Sequence, residues 1–406
     1  MLQTMLLGGN RLTGQVPSCL SEMDGLKELT LNDNALQGEL PQSLSNLMLL
    51  KRLFVDDNNL SGNPTGIFNQ LIELEMLMAQ GNSFTGVLND RMLMDHKFLT
   101  WVDLSDNKFS SSPSGAFPTH LLTLQHLEVL DLSSNSLTGS IPDSLQPNKY
   151  LRFLSLRDNA VTGPVPTSID QLVGLHHLDL SHNQLTGDLD TLGSLTGLRA
   201  LYLGENTALN PAPIPQSLHT LSHLQDLSLR ATQRTGELMP WIATSMLKLK
   251  LLDLGSNDFS GDIPAGYGRL GDLEFFMLNN NPKIDGIAPA SFRSLDSLRA
   301  IFLDGTNITG SLDNTICSLQ RYLSPDNKEV AYADCLGNDA SIECDCCNCC
   351  EYGGCSVPFQ TNLRASWVKD FAKLEFQFTN ATNFFDRSGS ETVFLTYHHS
   401  PSNNND

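Results

Sequence analysis

One short pattern recurs along most of the chain, and it restricts the possible folds more than any other feature. The segments LQTMLLGGNRLTGQVP, LKELTLNDNALQGELP, LEVLDLSSNSLTGSIP, LRFLSLRDNAVTGPVP and LKLLDLGSNDFSGDIP share the template LxxLxLxxNxLxGxIP. Its asparagine falls at Asn10, Asn34, Asn58, Asn82, Asn107, Asn135, Asn159, Asn183, Asn206, Asn257 and Asn281, and Thr232 and Thr306 take that slot in two further units. Spacing is mostly 23 to 26 residues, with one longer unit between Asn107 and Asn135. A period of this size means a stack of similar coils rather than a single closed core.

The physics of one coil follows from the spacing. In LxLxx the leucines face one way and their neighbours the other, which predicts a short strand with one buried face. A lone coil cannot cover its leucines, so coils stack and share a core. At ~4.8 Å per parallel strand, thirteen coils span roughly 60 Å. An asparagine amide both donates and accepts, so it can tie successive turns together. Threonine offers one donor, so the turns at Thr232 and Thr306 are expected to be held less well.

The GxIP ending, as in Gly139-Ser-Ile-Pro142 and Gly261-Asp-Ile-Pro264, resembles the plant-type leucine-rich repeat. The resemblance covers residues 1–316. It implies an α/β solenoid, a right-handed superhelix of about 13 repeats with a concave parallel β-sheet. The same subclass forms the ectodomains of receptor-like proteins and receptor kinases, and polygalacturonase inhibitors. It therefore implies a protein, peptide or glycan ligand, a membrane-bound co-receptor, and an extracellular or cell-surface location. The chain departs from the subclass in lacking a paired-cysteine N-terminal cap, kinase motifs and a membrane span. Leu2, Met5 and Leu7 already sit in register, so Met1 opens inside a coil and a signal or anchor is expected upstream. Cys19 is then expected to have a partner upstream as well.

Composition narrows the partners. A net charge of −20 and a pI near 4.7 disfavour nucleic acid and anionic membrane. With 40% hydrophobic and 17% charged residues the chain is not disordered by composition. No apolar run approaches the ~20 residues of a membrane span.

Eight cysteines follow the repeats: Cys317, Cys335, Cys344, Cys346, Cys347, Cys349, Cys350 and Cys355. Zinc is a rival reading, since Cys346/Cys349 and Cys347/Cys350 have CxxC spacing, but a second such pair or a flanking histidine is absent. At the end of a solenoid, disulfides that cap the last coil (residues 317–355) are the expectation, with a connectivity that spacing does not fix. Sequons at Asn59, Asn307 and Asn380 agree with a secretory route and N-glycosylation. Residues 356–406 carry no repeat; AKLEFQFTN and ETVFLTYHH predict two strands, and SPSNNND a disordered end.

Alternation also predicts which strand residues face outward. Two apolar strips emerge: Phe54, Met76, Met78, Trp101, Val129 and Phe153, and then Leu251, Phe275, Met277 and Phe302. Aromatic, methionine and arginine residues gathered on a wet face mark a contact surface. Arg157, His177, Asp179, Tyr202 and Arg230 complete the expected ligand-binding set. Asp103, Asp131 and Asp253, like Asp179, also belong to a recurrent LDL pattern.

Catalysis is not expected. His176, His177, Asp179 and His182 cluster near Arg157, Asp158 and Glu205, but an open face lacks the walled pocket that excludes water. No nucleophile-elbow, zincin, P-loop or kinase signature is present, and no cofactor or metal is implied. The alternative is a structural, wall-adhesive or ice-binding protein using the row Thr13, Ser61, Thr85, Ser110, Thr138, Thr162, Thr186, Thr235, Ser260 and Thr309.

Overall fold

The computed structural model describes residues 2–89, 91–112, 115, 117–319, 330–334, 342–344, 346–349, 374–376 and 393–395. Cys335, Cys350, Cys355 and Asn380 lie outside the described residues. Two compact units divide at Gly354 and Cys355.

The first unit is a leucine-rich repeat solenoid built on one parallel sheet. Its 15 strands follow one another in chain order, from Thr4–Leu6 to Asn348–Cys349. Each of the repeat strands has three residues because only the LxL part of the template alternates. Leu130 and Leu132, or Leu252 and Leu254, turn inward and are buried. Phe68, Phe84 and Phe109 replace leucine in neighbouring coils, with ring centres 6.3 and 6.4 Å apart.

On the side away from this sheet the chain forms mostly single 3-10 turns, such as Gln42–Asn46 and Thr167–Gln171, plus short α-helices at Thr65–Gln70 and Ile242–Ser245. The template proline precedes many of them, as at Pro41 and Pro166, and its locked φ ends the extended segment. The stretch from Pro41 to Leu47 is too short for more than such a turn, so the α content of the expected α/β class is small. The LxG segments form short parallel sheets of five, three and three strands. Gly139 there has φ +87°, and a Cβ would overlap the Gly115 carbonyl oxygen, so only glycine fits.

The asparagine slot ties the coils together. Asn183 Nδ2 donates to Leu156 O of the preceding coil at 2.8 Å and to Leu180 O and Ser181 O of its own, while its Oδ1 accepts from Val161 N at 2.9 Å. The hydroxyls of Thr232 and Thr306 donate within their own coil, to Leu229 O at 2.6 Å and Leu303 O at 2.7 Å, while Thr232 N donates to Asn257 Oδ1 of the next coil at 3.1 Å. The coil of Thr232 is nonetheless not left slack. Gln233 Nε2 donates to Thr207 O and Arg234 Nη2 to Asn210 O, which restores the link to the preceding coil by other side chains.

The sheet runs past the boundary expected at residue 316. Val330–Ala333 pairs in parallel with Ala300–Phe302, and Asn348–Cys349 pairs with Tyr332–Ala333. Among the described residues the disulfides are Cys317–Cys346 and Cys344–Cys347, and Cys19 is free and exposed. In the second unit Leu374–Phe376 and Val393–Leu395 pair antiparallel, within the two segments predicted as strands. Among the described residues, no helix is long and apolar enough to cross a membrane.

Candidate functional site

Parallel pairing without slippage sets the sheet's outer face as two columns. One runs Arg52, Met76, Trp101, Val129, Phe153, His177, Ala200, Asp226, Leu251, Phe275, Ala300. The other brings Phe54 beside Met78, Tyr202 beside Asp179 and Ser228, and Met277 beside Phe302. Members of a column are therefore neighbours across coils, as alternation predicts.

Exposure along the two strips is uneven. Phe54, Met76, Met78, Leu251, Met277 and Phe302 are half-buried. Trp101 is only 3% exposed and Phe153 6%, and Val129 and Phe275 are buried as well. Large side chains in register crowd one another: Trp101 stands between Met76 and Val129, and the Phe153 ring stacks on His177 with centres 4.3 Å apart. The Arg299 guanidinium carbon lies 5.5 Å from the Phe275 ring centre.

The stacked rings continue into a polar pair. His177 reaches Tyr202 with ring centres 5.4 Å apart, and the Tyr202 hydroxyl donates to Asp226 Oδ2 at 2.9 Å. Phe153, His177, Tyr202 and Asp226 thus form one ridge over four adjacent strands. Burial lowers the His177 pKa to about 4 against the opposing pull of Asp179. Burial raises that of Asp226 to about 6, although the Tyr202 hydroxyl and Lys250 oppose it. Burial thus favours the uncharged imidazole and works against ionisation of the carboxyl group. Asp226 was not in the expected set, although its place in the outward column could have brought it in.

Charged neighbours frame the ridge. Burial acts to lower the Arg157 pKa, but Asp179, Asp158 and Asp106 together outweigh it and raise it. Arg157 Nε donates to Asp158 Oδ2 at 2.9 Å. Arg230 lies 3.6 Å from both Glu205 and Asp253 and donates to Asn279 Oδ1 at 3.1 Å. Asp179 has an internal role. Its Oδ1 accepts from Ser181 N and Oγ at 2.9 and 2.6 Å, and Asp103 and Asp131 hold Ser105 and Ser133 in the same way. Asp253 accepts from Gly255 N at 3.1 Å. The recurrent LDL aspartate is therefore a clamp on the turn that follows its strand.

Other expected positions are placed as follows. Asn59 and Asn307 are exposed. In the threonine row Thr13, Thr85, Thr138, Thr162 and Thr309 are exposed, while Ser61, Ser110, Thr186, Thr235 and Ser260 are half-buried. The row crosses three separate short sheets rather than one continuous surface. Near the C-terminal disulfides, Cys344 Sγ lies 3.5 Å from Cys317 Sγ and 3.8 Å from Cys346 Sγ, so all three sulfurs are in mutual reach. One residue escaped sequence reasoning: Arg234, in a slot that other coils fill mostly with leucine, phenylalanine, valine or isoleucine. Asp56, read from alternation as facing outward, is buried, and burial raises its pKa to about 7 with help from Asp57 and Asp33.

A family model described as "Leucine-rich repeat region" matches residues 5–215. A probable LRR receptor-like serine/threonine-protein kinase of Arabidopsis thaliana is 37% identical over 98 residues, which is 24% of this chain and 9% of the kinase. The structure of the plant peptide hormone receptor RGFR1 in complex with RGF2 matches with a TM-score of 0.71 at 30% identity, over 82% of this chain and 51% of that one. The Arabidopsis receptor kinase HAESA, in complex with the peptide hormone IDA and the co-receptor SERK1, matches with a TM-score of 0.59 at 26% identity, over 76% and 58%. The chain thus spans about half of the solved RGFR1 chain and about a tenth of the curated kinase.

Proposed function

The chain belongs to the leucine-rich repeat family, and from that premise we propose that it is an extracellular recognition module whose concave sheet binds an extended peptide. The observation that carries this reading is the ridge of Phe153, His177, Tyr202 and Asp226, in which two half-buried rings, His177 and Tyr202, stand between buried Phe153 and buried Asp226 across four strands. Rigid aromatic side chains supply contact area at small entropic cost, and a hydrogen-bonded carboxylate supplies orientation. An extended segment laid across the strands meets a new coil at every step of ~4.8 Å, so a short peptide touches several coils. Arg157 and Arg230 flank the ridge and add cationic contacts, and the strips around Met76 and Met277 lengthen the surface.

RGFR1 and HAESA, which share this architecture, are named in complexes with peptide hormones, and HAESA also with a co-receptor. A peptide ligand and a membrane-bound co-receptor are the corresponding partners for this chain. The disulfides and the exposed sequon residues Asn59 and Asn307 suit an oxidising, secreted environment. The work of the ridge is binding, with no catalytic step assigned to it.

The test is selection of random twelve-residue peptides displayed on phage against the intact chain, followed by titration of the winners against Tyr202→Ala and His177→Ala. Winners are expected to lose at least tenfold in affinity on either variant. If the selected peptides bind both variants as tightly as the native chain, the ridge is not the binding site.

A further inference from the structure

The two disulfides near the end of the sheet lie against each other. Cys317 is bonded to Cys346, and Cys344 to Cys347. Cys344 Sγ also lies 3.5 Å from Cys317 Sγ and 3.8 Å from Cys346 Sγ, in contact with the other bridge. Among the described residues, the sulfurs of Cys317, Cys344 and Cys346 all lie within 4.8 Å of one another, and Cys347 is not in the group.

The bridges differ in access. Cys317 is 5% exposed, whereas Cys344, Cys346 and Cys347 are half-buried. Both ends of Cys344–Cys347 are therefore open to a thiol from solvent, against one end of Cys317–Cys346. Cys344–Cys347 also closes a Cys-x-x-Cys loop, with a sequence separation of 3 against 29. So short a loop restricts the unfolded chain little, which makes this the easier bridge to reduce.

Release would not let Cys344 drift away. Ile342 is buried, Ile342 and Glu343 pair with Gly310 and Ser311, and Leu312 N donates to Glu343 O at 2.9 Å. Leu312 O in turn accepts from Cys317 N at 3.2 Å. One residue thus holds both cysteine segments through its main chain. Cys347 leads instead into Asn348–Cys349, which pairs with Tyr332–Ala333. While bonded to Cys347, Cys344 sits beside the Cys317–Cys346 bond, at nearly equal distance from both sulfurs. Exchange needs the attacking sulfur in line with the bond it breaks, since its electron pair enters the orbital behind that bond. Opening Cys344–Cys347 both creates the thiolate and frees the side chain to rotate into line.

We propose that Cys344–Cys347 is a thiol–disulfide exchange site that accepts reducing equivalents from an external dithiol and passes the opening on to Cys317–Cys346. The dithiol gives up two electrons and two protons and becomes a disulfide, while Cys344 and Cys347 become thiols. The Cys344 thiolate then attacks Cys317 Sγ. A Cys317–Cys344 bond forms, the Cys317–Cys346 bond breaks, and its electron pair leaves on Cys346, which takes up the proton that Cys344 lost. This second step leaves the number of disulfides unchanged. Each molecule keeps a bridge to Cys317, so the end of the sheet stays covalently tied while the thiols move to Cys346 and Cys347. As chain neighbours, with Cα atoms ~3.8 Å apart against the usual ~4.4–6.8 Å of a disulfide, these two are poorly placed to bond to each other. The proposal stands apart from peptide binding on the concave face.

The test is reduction of the intact chain with limiting dithiothreitol at about pH 8.5, where thiolate is available, then alkylation and fragment-ion mapping of every cysteine. Cys19→Ser is the background throughout, so that no exposed thiol scrambles the bridges. Early alkylation is expected at Cys346 and Cys347, several-fold higher at Cys346 than at Cys344, with Cys317 bonded to Cys344. In Cys347→Ser, which leaves Cys344 as a thiol without any reductant, Cys317–Cys344 should build up beside Cys317–Cys346. In Cys344→Ser, Cys317–Cys346 should persist alone. The proposal is overturned if Cys347→Ser holds only Cys317–Cys346, or if limiting dithiol leaves thiols at Cys344 and Cys347 with Cys317–Cys346 intact. It is equally overturned if both bridges resist the dithiol until circular dichroism shows the chain unfolding. The limiting-reduction arm needs no substitution near the cluster, so it decides the matter even if a cysteine variant fails to fold.

Discussion

Replacing Arg234 asks whether a buried cation is kept for its hydrogen bonds or only for its volume. Its slot holds Leu36, Leu60, Phe84, Phe109, Leu137, Leu185 and Phe259 in other coils, yet Arg234 is 0% exposed. Nε donates to Thr232 O at 3.0 Å and Nη2 to Asn210 O, while Nη1 has no partner among the described residues. Burial lowers its pKa, against a weaker pull from Asp188. Arg234→Ala removes two charge-assisted bonds worth about 1.5–3 kcal/mol each, opens a cavity, and relieves the cost of burying the charge. The net loss expected is about 3–5 kcal/mol. Arg234→Leu loses the same bonds but refills the slot with an apolar side chain worth about 1.5–3 kcal/mol, so it should lie within about 1 kcal/mol of the native chain.

The assay is urea unfolding followed by circular dichroism, combined with amide exchange at Thr207–Leu209 and 232–236, because stacked coils need not unfold as one unit. The alanine variant should lose protection in these two coils first. A leucine variant as unstable as the alanine one would refute the reasoning. It would mean that the guanidinium bonds, rather than the filled volume, hold the irregular coil to its neighbour.

Asp56→Asn should raise stability at pH 8 by about 2–4 kcal/mol and leave it nearly unchanged at pH 4. With a folded pKa of about 7, above the unfolded value, Asp56 favours folding when protonated, and that contribution is lost as pH rises from about 4 through 7; denaturant midpoints at the two pH values measure it, and equal shifts at both would exclude the titration. Cys317→Ser opens a disulfide with a sequence separation of 29, for which chain entropy gives about 3–4 kcal/mol. Amide exchange should quicken near residues 300–316 and not in the coils before residue 100; uniform loss along the chain would show that the bridge acts on the whole stack rather than on its end.

Much of the architecture was legible because the template repeats. The LxL alternation, the asparagine ties and the outward columns all follow from the spacing of single residues. Where the template weakens, the sequence says less. Val330–Ala333 and Asn348–Cys349 join the sheet without leucines to announce them, so the end of the stack was placed too early. The concave residues could be read from alternation, but not the crowding that buries Trp101 and Phe153, since alternation gives direction and not depth. The LDL aspartates were recognised as a repeated pattern, while their grip on the following serine needs coordinates to see.

The late extension of the sheet changes what the cysteines are for. A lid would rest on the last leucine coil, but here two more strands, Val330–Ala333 and Asn348–Cys349, join the sheet without leucine in them. Ala331, Ala333 and Ile342 are buried there, and Cys344 and Cys347 pack against the core. Leu312 N donates to Glu343 O at 2.9 Å, and Gly305 N to Asp334 Oδ2 at 2.7 Å, so the new coils are tied to the old ones through the backbone and a carboxylate. Small side chains bury too little surface to offset the chain entropy of ordering a coil. A covalent link lowers that entropy in the unfolded chain instead. Buried Cys317, with Cys344 and Cys347 packed against the core, therefore adds covalent links to the few small side chains buried there. At the described end of the sheet, disulfides thus add to the little hydrophobic burial that small side chains supply.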